Sequence, residues 1–462
     1  MKQFDAIVIG AGQAGPALVG RLTGAGMTVA FVERNKLGGT CVNTGCTPTK
    51  TLVASAKIAQ DARRAADYGI VLDGAVRVDM PKVKARADTV VASSRGGLDK
   101  WLRGMERCTL VFGHARFEAP DRIRVGEDVM TAPRIFVNVG GRPSVPKLPG
   151  IGEVPFLTNA TMLALEEVPK HLVVVGGSYI GLEFAQMYRR FGAAVTVVEM
   201  MPRLIAREDA EVSEAIRGIF AAEGIAVRTS AECIRLARHA DGVAVGLECS
   251  EGDPMVVGSH LLLAVGRRPN TDDLGLDAAG LKADARGYIT VDESLATNVP
   301  GIWALGDCNG RGAFTHTAYN DYEIVAANVL DGESRRVSDR VPAYALYIDP
   351  PLGRAGKTET EARATGRRLL VGRRPMTRVS RAIEKGETQG LMKVVVDAET
   401  RRILGAAILG TGGDEAIHGV IDVMQAGVPF DVLQRTMGIH PTVSELIPTM
   451  LGEMQSVQGA VG

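Results

Sequence analysis

Two segments of the chain repeat one local design, and this repeat constrains the fold more than any other sequence feature. Each segment runs from an apolar strand through a glycine-rich turn into a helix, a second strand and an acidic residue, over residues 4–33 and 171–199. This order is typical of a Rossmann unit, whose turn and helix N-terminus bind the phosphates of a dinucleotide. The sequence therefore predicts two α/β nucleotide-binding units.

The first turn reads Gly10-Ala11-Gly12-Gln13-Ala14-Gly15. In such a turn Gly10 permits the sharp bend, Gly12 lets backbone amides approach a pyrophosphate, and Gly15 lets the helix pack on the strand. Glu33 ends the second strand of the unit, where a carboxylate suits the hydroxyls of an adenosine ribose.

The second turn reads Gly176-Gly177-Ser178-Tyr179-Ile180-Gly181, so that Ser178 stands where a middle glycine is usual. Glu199 ends the following strand, and a carboxylate there accepts hydrogen bonds from a free ribose 2′-hydroxyl and repels a 2′-phosphate. NADH is therefore favoured over NADPH. Arg203 and Arg207 follow closely and could bind a phosphate, which leaves NADPH as an alternative.

A pair of cysteines, Cys41 and Cys46, follows the first unit within the run Gly38 to Lys50. The spacing brings two thiols close enough to bridge if the helix distorts, and a thiolate at a helix start is stabilised by the helix dipole. The alternatives are half of a zinc site or two core thiols. A zinc site needs further ligands close by, whereas the remaining cysteines are scattered singly. They are Cys108, Cys233, Cys249 and Cys308.

Composition excludes several classes of partner. The chain has 462 residues, 46% hydrophobic and 23% charged, with 53 basic and 53 acidic residues. This balance provides no field that would attract nucleic acid or a membrane surface. The first strand pattern begins at Phe4 and no apolar run reaches membrane-spanning length, so we expect a cytoplasmic protein.

The remaining periodicity predicts further elements: helices within residues 51–104, alternating strands over 108–139, and a separate C-terminal domain from about residue 341. In that domain, strands are predicted at 392–396 and 403–409, with helices near 415–426 and 443–451.

Five separated motifs together resemble the class I pyridine nucleotide-disulfide oxidoreductases, the family of glutathione reductase, dihydrolipoamide dehydrogenase and mercuric reductase. They are the two glycine turns, the cysteine pair, Gly306-Asp307, and the run His440-Pro441-Thr442-Val443-Ser444-Glu445. The resemblance implies an α/β fold with two Rossmann-like domains, for FAD and NAD(P), and a C-terminal α+β dimerisation domain. The expected ranges are 1–148 with 271–338 for FAD, 149–270 for NAD(P), and 339–462 for the interface.

The resemblance also implies which residues contact the cofactors. The FAD contacts expected are Gly10, Gly12, Gly15, Glu33, Gly39, Thr40, Lys50, Gly140, Gly306, Asp307 and His316. Asp307 would reach the ribityl chain, and His316 would lie beside the pyrimidine edge of the flavin. The contacts expected for NADH or NADPH are Gly176, Ser178, Gly181, Glu199 and Gly266.

Catalytic roles follow from the same resemblance. Cys46 would be the charge-transfer thiolate against the flavin, and Cys41 the thiol that faces the substrate. Lys50 and Glu183 match an ion pair near flavin N5, and Tyr179 matches the aromatic residue that covers the flavin until nicotinamide displaces it. The remaining pair, His440 with Glu445, matches an acid-base pair that faces the disulfide of the other subunit, which implies a homodimer with a shared active site.

The electron acceptor is less constrained. The run Thr47-Pro48-Thr49-Lys50 after the cysteines is closest to the mercuric-reductase-like branch, yet residues 451–455 contain no cysteine pair that would deliver Hg(II). The sequence predicts transfer from NAD(P)H through FAD to a soft metal ion such as Hg(II) or to a small oxidised thiol, with Cys41 and Cys46 as possible soft-metal ligands and no structural metal. Dihydrolipoamide dehydrogenase is the first alternative. Residues 349–359 also resemble reductases of oxidant or copper stress. A non-catalytic nucleotide binder and a simple NADH oxidase are further readings.

Overall fold

A computed structural model describes residues 1–248 and 252–458, apart from the Cys233 side chain. Its strands are β1 Lys2–Gln3, β2 Ala6–Ile9, β3 Val29–Glu33, β4 Cys108–Phe112, β5 Ala115–Ala119, β6 Arg122–Val125, β7 Asp128–Thr131, β8 Ile135–Val137, β9 Gly141–Pro143, β10 His171–Val175, β11 Ala194–Val198, β12 Ala226–Arg228, β13 Glu232–His239, β14 Gly242–Glu248, β15 Met255–Gly258, β16 His260–Leu263, β17 Arg267–Pro269, β18 Ile302–Ala304, β19 Ala343–Leu346, β20 Leu352–Gly356, β21 Leu369–Pro375, β22 Leu391–Asp397, β23 Ile403–Leu409 and β24 Gln455–Val457.

The α-helices lie between these strands and flank the sheets. They are α1 Ala14–Gly24, α2 Gly39–Thr44, α3 Cys46–Arg63, α4 Met80–Arg103, α5 Asn159–Met162, α6 Tyr179–Phe191, α7 Ala210–Ala222, α8 Thr315–Ala326, α9 Glu359–Arg363, α10 Ser380–Glu384, α11 Gly413–Gln425, α12 Asp431–Gln434 and α13 Leu446–Gly452.

The first unit is built on a parallel sheet in the order β18-β8-β2-β3-β4. A second sheet of four strands, β1-β7-β6-β5, belongs to the same part of the chain. Because β18 joins β8 from beyond the second unit, the first unit is discontinuous in sequence. Its core of apolar residues includes Ile7, Val8 and Phe31, all fully buried. The near-continuous apolar strands fit a parallel sheet covered on both faces.

The second unit repeats this design with a parallel sheet, β12-β11-β10-β16, and adds the antiparallel sheet β13-β14-β15. In both units the glycine turn follows the central strand, and the helix after it begins at the carboxyl edge of the sheet. This edge is where ligands bind in open parallel sheets. A short antiparallel pair, β17 with β9, connects the two units.

The C-terminal part forms a six-stranded antiparallel sheet, β19-β20-β23-β22-β21-β24, with α11 and α13 packed against it. The elements expected from sequence in this part and in residues 51–139 are present within a few residues of their predicted limits. Two nucleotide-binding units and a C-terminal α+β part confirm the predicted fold class.

Candidate functional site

A cavity of about 2100 Å³ opens where the first unit meets the other two parts of the chain. Its volume is several times that of an ordinary small-ligand pocket, which suits a large dinucleotide. Most of the predicted site residues line this large cavity. They are Gly10, Gly12, Glu33, Gly39, Thr40, Cys41, Cys46, Lys50, Gly140, Tyr179, Glu183, Gly306, Asp307 and His316.

In the first glycine turn, the surrounding protein excludes a side chain at Gly10 and Gly15 but leaves room for one at Gly12. Gly10 has φ +103°, and a Cβ there would lie 2.3 Å from the carbonyl oxygen of Asn138. A Cβ on Gly15 would lie 2.4 Å from the carbonyl oxygen of Gly10. A Cβ on Gly12, in contrast, would meet its nearest atom at an ordinary 3.4 Å. The surrounding protein therefore leaves room for a side chain at position 12, unlike at positions 10 and 15.

The carboxylate of Glu33 is held at the end of β3 by backbone donors. Its Oε2 accepts a hydrogen bond from Ala11 N at 2.8 Å, and its Oε1 accepts one from Asn35 N at 2.7 Å. The side chain is therefore fixed beside the turn, where a ribose would follow a pyrophosphate bound to the turn.

The cysteine pair spans a break between two helices. Cys41 lies in α2 and Cys46 begins α3, and Gly45 between them adopts φ −135° and ψ −120°. A Cβ on Gly45 would lie 2.8 Å from the carbonyl oxygen of Thr40. Glycine thus lets the start of α3 approach α2, which provides the distortion that a bridge across this spacing requires. Both cysteines are free thiols in this structure.

The two thiols differ in their electrostatics. A hydrogen bond from Cys41, together with Thr315 and the charge of Lys50, lowers the pKa of Cys46 to about 6. The Cys46 Sγ lies 3.2 Å from the Thr315 hydroxyl oxygen. Donating to Cys46 and partial burial both raise the pKa of Cys41. At neutral pH the pair is therefore one thiolate, on Cys46, beside one protonated thiol, on Cys41.

Lys50 and Glu183 form an ion pair at the same place, with Nζ and Oε2 2.6 Å apart. The Glu183 side chain is 4% exposed, and its other oxygen accepts a hydrogen bond from Tyr347 N at 3.0 Å. The ammonium of Lys50 also lies 4.6 Å from the centroid of the Tyr347 ring. These contacts place a fixed cation beside Cys46, where it stabilises negative charge.

Asp307 and His316 also line the large cavity. Burial raises the pKa of Asp307, and Arg267 approaches its carboxylate at 3.5 Å. His316 donates from Nε2 to the carbonyl oxygen of Ala343 at 2.7 Å. Gly306 N is bonded to the Asp321 carboxylate at 2.8 Å, which fixes the start of this segment. A polar carboxyl and an imidazole therefore face the cavity.

Of the second glycine turn, Tyr179 and Ile180 line the large cavity, whereas the described residues predicted to contact the second nucleotide do not. Among the described residues, those predicted for the second nucleotide, Gly176, Ser178, Gly181, Glu199 and Gly266, do not line it. Glu199 accepts hydrogen bonds from Gly177 N at 2.6 Å and Met201 N at 2.8 Å. Gly266 has φ +114° and its carbonyl accepts a bond from Ser144 N at 2.9 Å. The structure thus separates the predicted residues into two groups.

Tyr179 stands between these groups. It lines the large cavity and also a small cavity of about 370 Å³ beside it. The small cavity is lined by four arginines, namely Arg207, Arg267, Arg268 and Arg286. A site of this charge suits the diphosphate of a nucleotide that approaches Tyr179.

The two arginines considered for phosphate binding beside Glu199 make other contacts. Arg207 lies against the Tyr179 and Tyr344 rings, and Arg203 donates to the carbonyl oxygen of Ala206 at 3.4 Å. Neither contact engages Glu199.

His440 and Glu445 form a pair far from this arrangement in sequence and are absent from the described lining of the large cavity. His440 Nδ1 lies 3.1 Å from each Glu445 carboxylate oxygen. The His440 side chain is 73% exposed, and Met437 and Ile439 beside it are 92% and 78% exposed. A hydrogen-bonded histidine–glutamate pair on an exposed apolar segment is typical of a surface that a second subunit covers.

Sequence reasoning missed several residues that complete the site: Thr315, Arg267, Phe314, Tyr344 and Tyr347. Thr315 and Phe314 immediately precede His316, and Arg267 follows Gly266, so proximity to a predicted residue was the available signal. Tyr344 and Tyr347 carried none, because β19 joins the cavity only through tertiary packing.

The described residues contain no cluster of three or more side chains able to hold a metal. Burial raises the pKa of Cys108 to about 11 and that of Cys308 to about 12, which makes both inert thiols. The Cys233 side chain and Cys249 lie outside the described residues. In the described part of the chain, no helix has both the length and the apolar composition to span a bilayer.

Comparison with known proteins finds matches along most of the chain. The model of the pyridine nucleotide-disulphide oxidoreductase family matches residues 4–321, and the model of its dimerisation domain matches residues 342–451. Probable pyridine nucleotide-disulfide oxidoreductase RclA of Escherichia coli strain K12 is 36% identical over 454 residues, covering 96% of this chain and 98% of that protein.

Two further relatives carry different activities in their names. Dihydrolipoyl dehydrogenase of Thermus scotoductus is 35% identical, with 96% of each chain covered. Mercuric reductase of Streptomyces lividans is 32% identical, with 96% of this chain and 94% of that protein covered. A solved Cu(II) complex of E. coli RclA, described as an HOCl-induced flavoprotein disulfide reductase, superposes with a TM-score of 0.88 at 33% identity, covering 98% and 99% of the two chains.

Proposed function

Because the chain belongs to the pyridine nucleotide-disulphide oxidoreductases, we propose that it passes electrons from NAD(P)H through FAD to the Cys41–Cys46 pair, and from there to a soft metal ion or a small oxidised thiol. One observation carries this proposal. The thiolate of Cys46, the thiol of Cys41 and the Lys50–Glu183 ion pair meet in the cavity that the first glycine turn lines.

The large cavity fits FAD, the cofactor of this family. Its volume is sufficient, and Gly12 leaves space that the protein itself does not fill. The turn and Glu33 would hold the adenosine diphosphate half, while Asp307 would contact the ribityl chain and Lys50 the flavin ring. When bound, FAD supplies the conversion of a hydride into an electron pair for the disulfide.

The nicotinamide nucleotide would approach from the other side of Tyr179. The small cavity offers Arg267, Arg268 and Arg286 for a diphosphate, and Tyr179 of the second turn also lines it. Glu199 ends β11 with its carboxylate bonded to its own turn, which supports NADH as the preferred cofactor, because a 2′-phosphate would approach this negative charge.

The reaction balances with the two thiols in different protonation states. Reduction of the disulfide takes two electrons and one proton, and leaves Cys41 as a thiol and Cys46 as a thiolate. After losing its proton, Cys41 attacks an oxidised thiol and forms a mixed disulfide, and the first thiol leaves with a proton. Cys46 then attacks the Cys41 sulfur, which restores the disulfide and releases the second product as a thiolate that takes up a proton from solvent.

The raised pKa of Cys41 makes a base necessary for this attack. Within one chain His440 does not line the described large cavity, and it lies on an exposed apolar segment of the part that matches the dimerisation domain. We therefore assign the base to His440 of the partner subunit, oriented by the partner's Glu445, in a homodimer.

Dihydrolipoamide oxidation is a second candidate, and the paired His440 and Glu445 favour it because dithiol oxidation needs a proton acceptor. Copper is a third candidate acceptor, supported by the Cu(II) complex of RclA. The cysteine thiols are soft ligands that would bind either Hg(II) or copper as substrate.

The deciding experiment is anaerobic NADH oxidation by the purified holoenzyme with Hg(II) under excess thiol, Cu(II), oxidised glutathione and lipoamide, each compared with Cys41→Ser. Metal turnover that the variant loses supports the metal reductase. Turnover of lipoamide alone assigns the chain to the dihydrolipoamide branch. Unchanged turnover in Cys41→Ser would contradict the disulfide mechanism altogether.

A pH titration tests the assigned thiolate. A thiolate beside oxidised flavin absorbs at long wavelength, and a serine hydroxyl can still donate to Cys46, so this band should appear in Cys41→Ser holoenzyme at a pH below the ordinary pKa of a cysteine. Cys41→Ala removes the hydrogen bond to Cys46, and the midpoint should rise by about one to two pH units. Equal midpoints in the two variants would show that Cys41 does not stabilise the Cys46 thiolate.

A further inference from the structure

Arg207 lies in the partition between the large and the small cavity. It lines both cavities, as do Tyr179 and Phe314. The geometry points to Arg207 as a positioning residue, which clamps the Tyr179 ring in its closed position and thereby sets how readily a nicotinamide can displace that ring. This inference rests on the proposed function, in which Tyr179 separates the nicotinamide from the flavin.

The clamp consists of one cation and two aromatic rings around Tyr179. The guanidinium of Arg207 lies 5.9 Å from the Tyr179 ring centroid and 5.5 Å from that of Tyr344. The Phe314 ring lies 5.3 Å from Tyr179 and stacks on Tyr344 at 5.6 Å. Both distances from the cation are within the range of a cation–π attraction. Arg207 therefore contacts both the Tyr179 ring and the Tyr344 ring.

Arg207 is free to serve this role because no other charge holds it. It is exposed, and in the described part of the chain no carboxylate forms an ion pair with it. A guanidinium is attracted to the faces of aromatic rings, which accounts for its position beside two of them. Its position is thus explained by the rings themselves and by the backbone that carries it.

That backbone is anchored to the C-terminal sheet by the two residues that follow. Buried Glu208 accepts a hydrogen bond from Arg354 Nε at 3.0 Å and one from the Tyr344 hydroxyl. Asp209 accepts one from the buried Lys393 at 2.8 Å. Because these contacts fix the chain on one side of Arg207, the clamp on Tyr179 is held by the C-terminal part of the molecule.

A clamp on the closed ring opposes nicotinamide binding. For a ligand that binds only the open state, the apparent affinity is the intrinsic affinity multiplied by the fraction of molecules that are open. Removing the cation should therefore strengthen binding of the nicotinamide cofactor. An exposed cation–π contact of ordinary strength corresponds to a change of about two- to fivefold in an equilibrium constant.

The test measures NAD⁺ binding to the oxidised holoenzyme by calorimetry, together with KM for NADH and flavin fluorescence. Arg207→Gln should lower the Kd and KM by about two- to fivefold and raise the fluorescence that an adjacent tyrosine ring quenches. Arg207→Lys keeps a cation and should stay near wild type. Arg203→Gln is the matched control, since Arg203 lies on the same loop and bonds only Ala206 O.

An unchanged Kd in Arg207→Gln would overturn the clamp. So would a weaker, salt-dependent Kd, which would identify Arg207 as a phosphate ligand. Because Arg207 is exposed, its replacement leaves the core intact. A different result would contradict the proposed function. Cys41→Ser would then oxidise NADH as wild type does, while the Arg207 variants still behaved as expected.

Discussion

The two glycine turns are alike where the fold constrains them and differ where a ligand does. In both, the first glycine has a positive φ, and its Cβ would strike a backbone carbonyl, at 2.3 Å from Asn138 O for Gly10 and 2.4 Å from Ala264 O for Gly176. In both, the last glycine faces the carbonyl of the first, at 2.4 Å for Gly15 and 2.0 Å for Gly181. These positions are glycine because helix and strand meet there.

The middle positions show the difference. Gly12 has room for a Cβ, and its counterpart Ser178 carries one in an ordinary extended conformation with φ −102°. The first turn is also covered by the start of α2, since a Cβ on Gly39 would lie 2.8 Å from Gly12 Cα. Backbone of α2 therefore lies close to the middle glycine of the first turn, whereas the second turn carries a small side chain at this position. Under the proposed function, the close approach of FAD to the first turn, and not the turn itself, makes its middle glycine necessary.

The largest effect is expected from the positions that the turns share. Gly15→Ala and Gly181→Ala each push a methyl group into a carbonyl oxygen, which should destabilise the affected unit by about 1–3 kcal/mol or more. Gly15→Ala should lose FAD, and Gly181→Ala should keep FAD but lose NADH binding. Denaturant unfolding, FAD content and NADH titration would measure this.

Gly96→Ala provides the control for both variants, because nothing lies within 4 Å of its Cβ position in the middle of α4. It should stabilise the chain slightly, by about 0.5–1 kcal/mol. Full FAD retention in Gly15→Ala would show that the backbone contact is not the reason for the third glycine.

An exchange of the middle residues should have the next largest effect. Gly12→Ser should fold, because its Cβ meets only an ordinary contact at 3.4 Å, yet it should weaken FAD binding at least about tenfold. Ser178→Gly should leave NADH binding unchanged or stronger. Fluorimetric FAD titration of the apoprotein and steady-state KM for NADH measure the two sides. If both exchanges weakened their ligands equally, the difference between the turns would disappear.

The smallest effect is expected at the two acidic residues, which behave alike. Glu33 and Glu199 each accept bonds from two backbone amides. A glutamine has one acceptor oxygen, so one amide would lose its partner in either variant. Glu199→Gln should also raise kcat/KM for NADPH relative to NADH by about threefold, since the repelling charge is gone. Glu33→Gln should leave this ratio unchanged, which makes it the control.

The sequence by itself determined the order of the elements and the identity of most site residues. Both turns, both acidic residues and the cysteine pair are local features, and their chemistry follows from residue type and spacing over fewer than thirty positions. The strands and helices also followed from periodicity, because apolar residues recur at the spacing of the element that buries them.

Only the tertiary structure decided which of these features share a site. It brought Lys50 to Glu183 and Tyr347 to both, from segments far apart in the chain, and it separated the residues of the first turn from those of the second. It brought Thr315 to Cys46 from a distant segment, a contact that helps to lower the pKa of Cys46 and that no local pattern contains. Such effects depend on distances across the fold, and packing fixes those distances while the sequence pattern only permits them.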